Sequence, residues 1–460
     1  LLGGTTYTDY DKFAANEYGR NSQEAQNDLN NPNRVIAKGD KFGYNYNINV
    51  DKARLYSMYQ YTKGIGQINA QAWGEGTLME RDGLMRNGRA ADNSYGKSGK
   101  AKFLGGGARL GFTLRPNGGN VLSLNVGAES NAPLARNAFV APRMQNNFVD
   151  NLKNEDIYHA DLSYQFRWGN FSGKISGYYA QLNNGVEQTA FYNDDESRFT
   201  YLTMSKVKRE HYGVEAAFNL QLTSNFSVNL VGTYGEAKYV NNPLAQIAYE
   251  GSNATTLKEL NTWTNPKTGK AMPMRVLADG MRESGTPLTA ISLGFDYNVN
   301  GWFFSANLNY YDRVYIDFSE YRRLSKFVPS YSSQGFDANG NQMFDVTKKE
   351  LNDKGGILYA EDGSIIDTYG AKQEKAKGGF MLDASIGKYI RLKRGKSISI
   401  NLSVQNITNN RNLKTGGYEQ NRSDSYSTGN DRAYSFSKNA KYYYANAING
   451  FLNIGIIVFS

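Results

Sequence analysis

Hydrophobic and polar residues alternate along many segments of this chain. In the segment SISINLSVQNITNN, residues 397–410, the side chains of Ile398, Ile400, Leu402 and Val404 fall on one side, and Ser, Asn and Gln fall on the other. A repeat of two is the repeat of a β-strand. The same alternation recurs at 42–50, 214–222, 226–234, 291–299 and 302–310. The pattern predicts an all-β chain.

Turn residues divide the chain into about thirteen predicted strands. These are 42–62, 65–80, 100–115, 120–134, 155–168, 171–188, 198–222, 226–239, 285–299, 302–314, 377–392, 397–410 and 444–460. A hairpin turn at Asp51-Lys52 would give fourteen strands, but it would also place the polar segment 1–40 on the side of the short turns. We therefore predict one long strand over 42–62, with a β-bulge near Asp51.

The connections between these strands alternate in length. Short ones fall at 63–64, 115–120, 168–170, 223–225, 300–302 and 393–396, and long ones at about 82–99, 136–154, 190–197, 240–283, 315–376 and 411–443. A soluble sandwich or propeller also alternates, but its strands average about five or six residues. Longer strands, with short turns on one side and long loops on the other, are typical of a transmembrane antiparallel β-barrel. The aliphatic side chains between Ile398 and Val404 are then expected to face lipid. The alternating polar side chains between Ser397 and Gln405 are expected to face the interior.

The composition of the chain excludes several kinds of site and partner. The 460 residues include no Cys, which excludes disulfides, thiolate metal sites and a cysteine nucleophile. The net charge is +9, but Lys and Arg are scattered among acidic residues, so nucleic acid is not an expected partner. No run of about eighteen apolar residues predicts a membrane helix. The opening LLGGTTYTDYDKF lacks the pattern of a signal peptide, so the barrel interpretation expects a chain that begins part-way through a longer protein.

The segment ADNSYGKS, residues 91–98, is one residue away from a phosphate-binding loop, because Ala91 stands where the first Gly belongs. That loop binds phosphate only between a strand and a helix, where backbone amides and the helix N-terminus point at the ligand. Here a predicted strand follows instead. We therefore interpret the segment as a polar outer loop.

The segment DANGNQMFD, residues 337–345, resembles the start of a calcium-binding loop. Four oxygen-bearing side chains occupy the first, third, fifth and ninth positions, namely Asp337, Asn339, Asn341 and Asp345. Gln342 replaces the Gly needed for the sharp bend, and Lys348 replaces the bidentate Glu. The sequence therefore favours a hairpin turn over a metal site, and no metal is expected.

Histidine-based catalysis has few candidate residues. His159 and His211 are the only two histidines, and neither lies in a compact motif with a nucleophile. The REHYG segment around His211 is interpreted as part of a strand. No catalytic residue is predicted, and the protein is not expected to be an enzyme or to need a cofactor.

Four segments carry a resemblance to a known family. LSVQNITNNRNLKTGGYEQNR (402–422) and KYYYANAINGFLNIGIIVFS (441–460) resemble the C-terminal end of TonB-dependent outer-membrane receptors, and MRNGRAADNSYGKS (85–98) and RNAFVAPR (136–143) are similar to segments of the same barrel. The resemblance spans nearly the whole chain and is silent on the substrate. One departure is that Phe459 stands one residue before the end, where family members generally end on an aromatic residue. The closing pattern also differs from that of the glycan-importing branch.

The resemblance implies a barrel of about 22 strands filled by a plug. About thirteen of them would be present here, so that residues 1–41 form part of an extracellular loop and 42–460 the C-terminal part of the barrel. The plug and the segment that contacts the TonB complex would lie upstream. The strands at 42–62 and 444–460 would then not be neighbours, because further strands would separate them.

The function implied is TonB-energised uptake of a nutrient ligand, which could be a siderophore, cobalamin, a peptide or an oligosaccharide. The alternative is a passive porin-type channel without a plug, and a more distant one is an adhesion or assembly barrel. The expected partners are outer-membrane lipid, lipopolysaccharide, the TonB complex and a surface lipoprotein. Four residues of the long loops are candidate ligand contacts, namely Trp263, Arg322, Tyr418 and Arg422.

Overall fold

The computed structural model describes residues 7–9, 19, 22–32, 35–41, 43–193, 198–250, 254–264, 269–328, 330–347, 349, 356–360, 365–369, 373–392, 396–418 and 440–458. Within these residues, thirteen long strands form one antiparallel sheet in which neighbours in sequence are neighbours in space. They are β1 (Tyr46–Lys63), β2 (Gly66–Gly83), β3 (Ala101–Asn117), β4 (Asn120–Asn131), β5 (Glu155–Trp168), β6 (Phe171–Asn193), β7 (Arg198–Thr223), β8 (Phe226–Tyr239), β9 (Thr289–Val299), β10 (Trp302–Asp312), β11 (Gly379–Arg391), β12 (Lys396–Gln405) and β13 (Asn449–Val458). The prediction of an all-β chain with about thirteen barrel strands is confirmed.

Smaller elements lie in the long connections and in the N-terminal segment. The short strands are Tyr7–Asp9, Val35–Ala37, Gly96–Lys97, Leu244–Tyr249, Thr262–Thr264, Ala271–Pro273, Ser330–Phe336, Gln342–Phe344, Gly356–Tyr359, Ile365–Tyr369, Lys414–Tyr418 and Ala440–Tyr444. An α-helix covers Ala254–Leu260, and 3₁₀ turns cover Gln23–Ala25, Gly88–Ala90, Ala135–Asn137 and Tyr321–Arg323. No helix in the described part of the chain is long and apolar enough to cross a bilayer.

The short and long connections lie at opposite ends of the strands. The turn between β9 and β10 consists of Asn300 and Gly301, both with positive φ (48° and 77°), as a tight two-residue hairpin requires. At the other end the long connections contact one another. The Asn146 amide donates to the Asn93 carbonyl (2.9 Å). The Arg282 amide donates to the side-chain oxygen of Gln373 (2.7 Å). The predicted alternation of connections is therefore confirmed.

The two faces of the sheet differ in chemistry. On the face that we call the aliphatic face, one register row reads Phe226, Tyr297, Phe304, Ile386, Leu402 and Leu452. On the opposite, polar face, side chains bond across strands: the Asn219 amide donates to Asn229 (2.6 Å), and the Asn309 amide donates to Asp383 (2.9 Å). Ile400 and Leu402 are exposed on the aliphatic face, as predicted.

The predicted bulge near Asp51 is wrong. β1 pairs with β2 over all of its 18 residues without a shift in register. Lys52 and Arg54 point to the same face, and both form ion pairs with the buried carboxylate of Glu75. The regular alternation therefore satisfies the charges in this strand without an extra residue.

Several predicted strand ends are also corrected. β1 begins at Tyr46 and β9 at Thr289, about four residues later than predicted, and β12 ends at Gln405. β13 begins at Asn449 because the preceding strand, Ala440–Tyr444, pairs with Lys414–Tyr418 inside the long connection. β6 continues to Asn193, so that the connection predicted at 190–197 is shorter.

The hairpin of β6 and β7 extends beyond the other strands. β7 has 26 residues, whereas a membrane-crossing strand needs only about 9–11. The register shifts between Met204 and Arg209, where Asn184 and Lys206 have positive φ, and beyond this point the strand Leu244–Tyr249 joins β7 as a further neighbour. Each residue from Thr200 to Met204 is buried, so both faces of this part of β7 are covered by other parts of the chain.

β1 and β13 form the two edges of the long sheet. β1 pairs only with β2 and β13 only with β12 in the part of the chain that the structure describes. This arrangement does not contradict the prediction that these two strands are not neighbours, which stays a prediction. Each edge leaves a row of backbone amides and carbonyls without a strand partner, which an apolar solvent cannot satisfy.

Candidate ligand-binding site in the long connections

The long connections pack into a compact structure that we call the loop layer, formed by the described residues of 132–154, 240–288, 313–328 and 356–359 with the extension of the β6–β7 hairpin. Tyr201 packs on one face of that extension, against the connection before β5. Leu202 and Met204 pack on the other face, in a core whose other members include Ile247, Met274, Val276, Phe318 and Leu324. The layer therefore has its own hydrophobic core.

A charged cluster joins the loop layer to the sheet. Arg209 Nη1 lies 3.0 Å from Glu283 Oε1 and 3.4 Å from Glu187 Oε1, and His211 Nε2 lies 2.8 Å from the same Glu283 oxygen. Burial alone would raise the pKa of Glu283, but the hydrogen bond from His211 and the charge of Arg209 outweigh it, so the pKa lies below its usual value. Both carboxylates are paired within the cluster. Its role is therefore to position the connection after β8.

Tyr418, one of the predicted contacts, belongs to a second cluster around Glu374. The carboxylate of Glu374 accepts hydrogen bonds from the hydroxyls of Tyr418 and Tyr442 and from Lys414 Nζ (3.0 Å). Burial and the hydrogen bond to Glu374 raise the pKa of Tyr418, so its hydroxyl stays protonated. Tyr418 thus holds the pair of strands Lys414–Tyr418 and Ala440–Tyr444, which we call the Lys414–Tyr418 hairpin, onto Glu374. Its role in ligand binding stays a prediction.

Trp263 and Arg322 lie within the packed part of the loop layer. The indole of Trp263 is half-buried against the core, and its Nε1 donates to the Pro273 carbonyl (3.2 Å). Arg322 is 2% exposed in the Tyr321–Arg323 turn, where its amide donates to Ser319 Oγ (3.3 Å). In this arrangement the Arg322 side chain would reach a ligand only after the layer opens. Ligand contact by both residues stays a prediction, and Arg422 lies outside the described residues.

The calcium-like segment has a structural explanation. Asp337 lies at the tip of a hairpin, where its carboxylate accepts hydrogen bonds from the amides of Asn339 (2.9 Å) and Asn341 (2.8 Å). These bonds lower the pKa of Asp337, and the preferred hairpin interpretation is confirmed; Lys348 lies outside the described residues. Among the residues that the structure describes, no group of three His, Asp or Glu side chains could hold a metal ion.

The segment 91–98 is followed by strands and not by a helix. Gly96–Lys97 pairs with β2, β3 begins at Ala101, and Lys97 forms an ion pair with Glu80 (3.1 Å). The loop also contacts the N-terminal segment, where the Leu29 amide donates to the Arg86 carbonyl (2.7 Å). The segment is therefore part of a connection between strands, as predicted, while its position on the outer side stays a prediction. Both histidines lie in strands, His159 in β5 and His211 in β7.

Arg143 was not a candidate from the sequence, but its surroundings in the structure make it one. Its guanidinium lies over the rings of Tyr44 (5.1 Å) and Phe199 (5.3 Å). No carboxylate lies within ion-pair distance of it in the described ranges of the chain. The three residues come from three separate segments, so no local spacing reveals them. A cation between aromatic rings at the loop end is a surface that an anionic or aromatic group could use.

Comparison with known proteins places the fold. No family model and no curated protein matches the sequence. The solved structure of the copper transporter OprC matches with 10% identity and a TM-score of 0.51, over 88% of this chain and 48% of that one. The ferric citrate transporter FecA in its unliganded form matches with 11% identity and a TM-score of 0.51, over 92% of this chain and 47% of that one.

A third solved structure, the siderophore receptor PiuA from Acinetobacter baumannii, matches with 10% identity and a TM-score of 0.50, over 92% of this chain and 44% of that one. The chain therefore spans less than half the length of each of these three proteins. At such identities the likeness shows the fold alone. The chain has the β-barrel fold of outer-membrane transporters and receptors.

Proposed function

We propose that this chain is the barrel portion of an outer-membrane receptor that takes up a nutrient ligand with energy supplied through TonB. The observation that carries the proposal is the combination of a long antiparallel sheet, aliphatic on one face and polar on the other, with a cross-bonded loop layer at one end. The barrel supplies a scaffold and binding loops, and no bond is made or broken. The similarity to a copper transporter, a ferric citrate transporter and a siderophore receptor supports this class and leaves the ligand open.

The orientation can be tested because the chain has no cysteine. Ala338 lies at an exposed hairpin tip of a long connection, and Ser224 lies exposed in the short turn between β7 and β8. We expect Ala338→Cys to react with an impermeant maleimide on intact cells, and Ser224→Cys to react only after lysis. Labelling of Ser224→Cys on intact cells would reverse the assigned orientation.

Energy coupling distinguishes the receptor from the alternative, a passive porin-type channel. Growth of a deletion strain on candidate nutrients, with iron complexes and cobalamin included, would identify the ligand. Uptake of that ligand by the complemented strain should stop when a protonophore dissipates the proton gradient or when tonB is deleted. Uptake that continues at an unchanged rate would support the porin instead.

We further propose that additional strands close the barrel between β13 and β1, to give about 22. The two unpaired edges support this, because a barrel in lipid must satisfy every backbone group. In the intact protein, cysteines at Ile400 and Ile454, which face each other across β12 and β13, should form a disulfide. Cysteines at Leu55 and Ile454 should not, and efficient formation of that second disulfide would show that β1 and β13 pair directly.

The partners follow from the same proposal. The aliphatic face would contact outer-membrane lipid, and the ends of the strands near the long connections would contact lipopolysaccharide. The TonB complex would act through a plug and not through this chain. A surface lipoprotein could cover the loop layer, and co-purification of the tagged receptor with and without the exposed hairpin at 330–344 would test it.

A further inference from the structure

An apolar groove interrupts the aliphatic face where β8 to β12 lie side by side. Its volume is about 390 Å³, and aromatic and aliphatic side chains line it, including Phe226, Phe295, Phe304, Ile386 and Leu402. The register row through its floor reads Phe295, Ala306, Ala384 and Val404. Two alanines side by side lie between larger residues, so the groove exists because this row lacks bulk in its middle.

The groove lies toward the short-turn end of the strands. The rows between it and the turn at Asn300-Gly301 contain Phe304 and then Trp302, whereas Tyr310 and Phe380 form an aromatic contact toward the long connections (4.8 Å between ring centroids). Aromatic residues at both ends of the aliphatic rows are typical of the two membrane interfaces. The groove therefore faces the acyl chains of the leaflet on the short-turn side.

A lysine marks the interfacial end of the groove. Lys388 lies two residues beyond Ile386 on the same face and pairs in register with Trp302. Its Nζ donates to the Asn300 carbonyl (2.8 Å) and lies 4.8 Å from the centre of the Trp302 ring. No carboxylate lies within ion-pair distance of Lys388 in the portion of the chain described here. A lysine on a lipid-facing surface is tolerated near the interface, where its ammonium group reaches the headgroups.

From this arrangement we propose that the groove binds one phospholipid of the short-turn leaflet. One acyl chain lies over Ala306 and Ala384, and the lipid phosphate pairs with the ammonium of Lys388 beside the Trp302 indole. The charge selects anionic phospholipid over zwitterionic phospholipid, because a lysine near a membrane surface attracts anionic lipid. The site requires the aliphatic face to contact lipid, and it does not depend on which ligand the receptor transports.

Fluorescence quenching can measure this selectivity at equilibrium. The intact protein is reconstituted with Trp302 as its single tryptophan, after replacement by Phe of Trp73, Trp168, Trp263 and any tryptophan outside this chain. Vesicles of phosphatidylcholine then receive increasing fractions of chain-brominated phosphatidylglycerol or chain-brominated phosphatidylcholine. The two quenching curves give the relative binding constant at Trp302. We expect phosphatidylglycerol to be favoured by about fivefold, the factor that corresponds to roughly 1 kcal/mol per lysine near the surface.

Variants separate the two parts of the site. Lys388→Gln should bring the relative binding constant of phosphatidylglycerol over phosphatidylcholine to about one. Ala384→Phe fills the floor of the groove and should lower this relative binding constant as well. Leu124→Phe is the matched control, because Leu124 lies on the same face in β4, far from the groove, and should leave the constant unchanged. A protein with Trp168 as its single tryptophan reports on another short-turn site and should show no preference.

Each other outcome overturns the proposal. An equal preference at Trp168, or one that survives Lys388→Gln or Ala384→Phe, would mean that the groove is not a specific site. Relief of quenching by added lipopolysaccharide would assign the groove to the other leaflet. No quenching by either brominated lipid would contradict the lipid-facing assignment of Trp302 itself, which separates failure of the fold-level proposal from failure of the site.

Discussion

The hairpin β9–β10 and the far half of the hairpin β6–β7 are both regular antiparallel pairs, yet they bury their residues differently. β9 and β10 contain 11 residues each. Their aliphatic side chains lie on one face of the sheet and their polar side chains on the other, and Leu308 is exposed on the aliphatic face. From Thr200 to Met204 every residue is buried. The β9–β10 pair therefore relies on lipid around its aliphatic face, as a membrane strand does. Residues 200–204 of β7 instead pack against protein on both faces.

The comparison shows that one continuous strand can belong to two structures. β7 is part of the sheet near Ala217 and part of the loop layer near Leu202, and the change occurs at the register shift beside Lys206. The loop layer is thereby attached rigidly to the barrel through the backbone of β6 and β7.

The largest effect is expected from removing bulk in the extension. Leu202 is 1% exposed, and Leu202→Ala should lower the free energy of unfolding of the loop layer by about 2–5 kcal/mol, because the cavity cannot collapse between two packed faces. Hydrogen exchange of the amides around 200–205 measures this. Leu230→Ala on the aliphatic face is the control, since acyl chains can fill the space. An equal loss of unfolding free energy in both variants would show that the extension and the aliphatic face do not differ as environments.

A charge on each face of β10 sharpens the same comparison. Leu308→Arg places a guanidinium among the aliphatic rows and should destabilise the barrel by about 2–4 kcal/mol if this row lies near the middle of the bilayer. Asn307→Arg on the polar face should cost clearly less. Unfolding of both variants by urea in lipid vesicles compares them. A larger loss for Asn307→Arg would reverse the assignment of the faces.

Much of the sheet could be predicted from the sequence, because the signals are local. β5 and β8 begin and end at the predicted residues, since their alternation is clean and a short turn follows or precedes each one. The extension of β6 to Asn193 was not predicted, because its last residues, QTAFYN, do not alternate cleanly between apolar and polar side chains. The short strand Leu244–Tyr249 is visible only through its pairing with β7.

The candidate site was less predictable, because its contacts join distant segments. Tyr418 and Tyr442 reach Glu374 from 44 and 68 residues away in sequence. Arg322 was selected as an exposed loop residue, but a sequence does not show that a polar turn is folded under another loop. Arg143 is the converse case, because nothing in RNAFVAPR indicates that two aromatic rings flank its last residue.

The smallest effect is expected at the Glu374 cluster, which belongs wholly to the long connections. Tyr418→Phe removes one hydrogen bond to the carboxylate and should loosen the Lys414–Tyr418 hairpin by about 0.5–1.5 kcal/mol. Hydrogen exchange at the Asp317 and Tyr418 amides, which bridge this hairpin to the connection after β10, measures its opening. The sheet should be unaffected in this variant, whereas Leu308→Arg should affect the sheet.

The cluster should also depend on pH in a defined direction. Burial tends to raise the pKa of Glu374, but hydrogen bonds from Tyr418, Lys414 and Tyr442 hold it below its usual value, so the folded form binds the proton less readily than the unfolded form. Its stabilising contribution is therefore complete above the unfolded pKa of about 4.3 and is lost as pH falls through the lower folded value. After correction for intrinsic rates, exchange of the Tyr418 amide should show easier opening at pH 3 than at pH 7. Glu374→Gln should lack that difference, and a variant that keeps it would assign the pH dependence to another carboxylate.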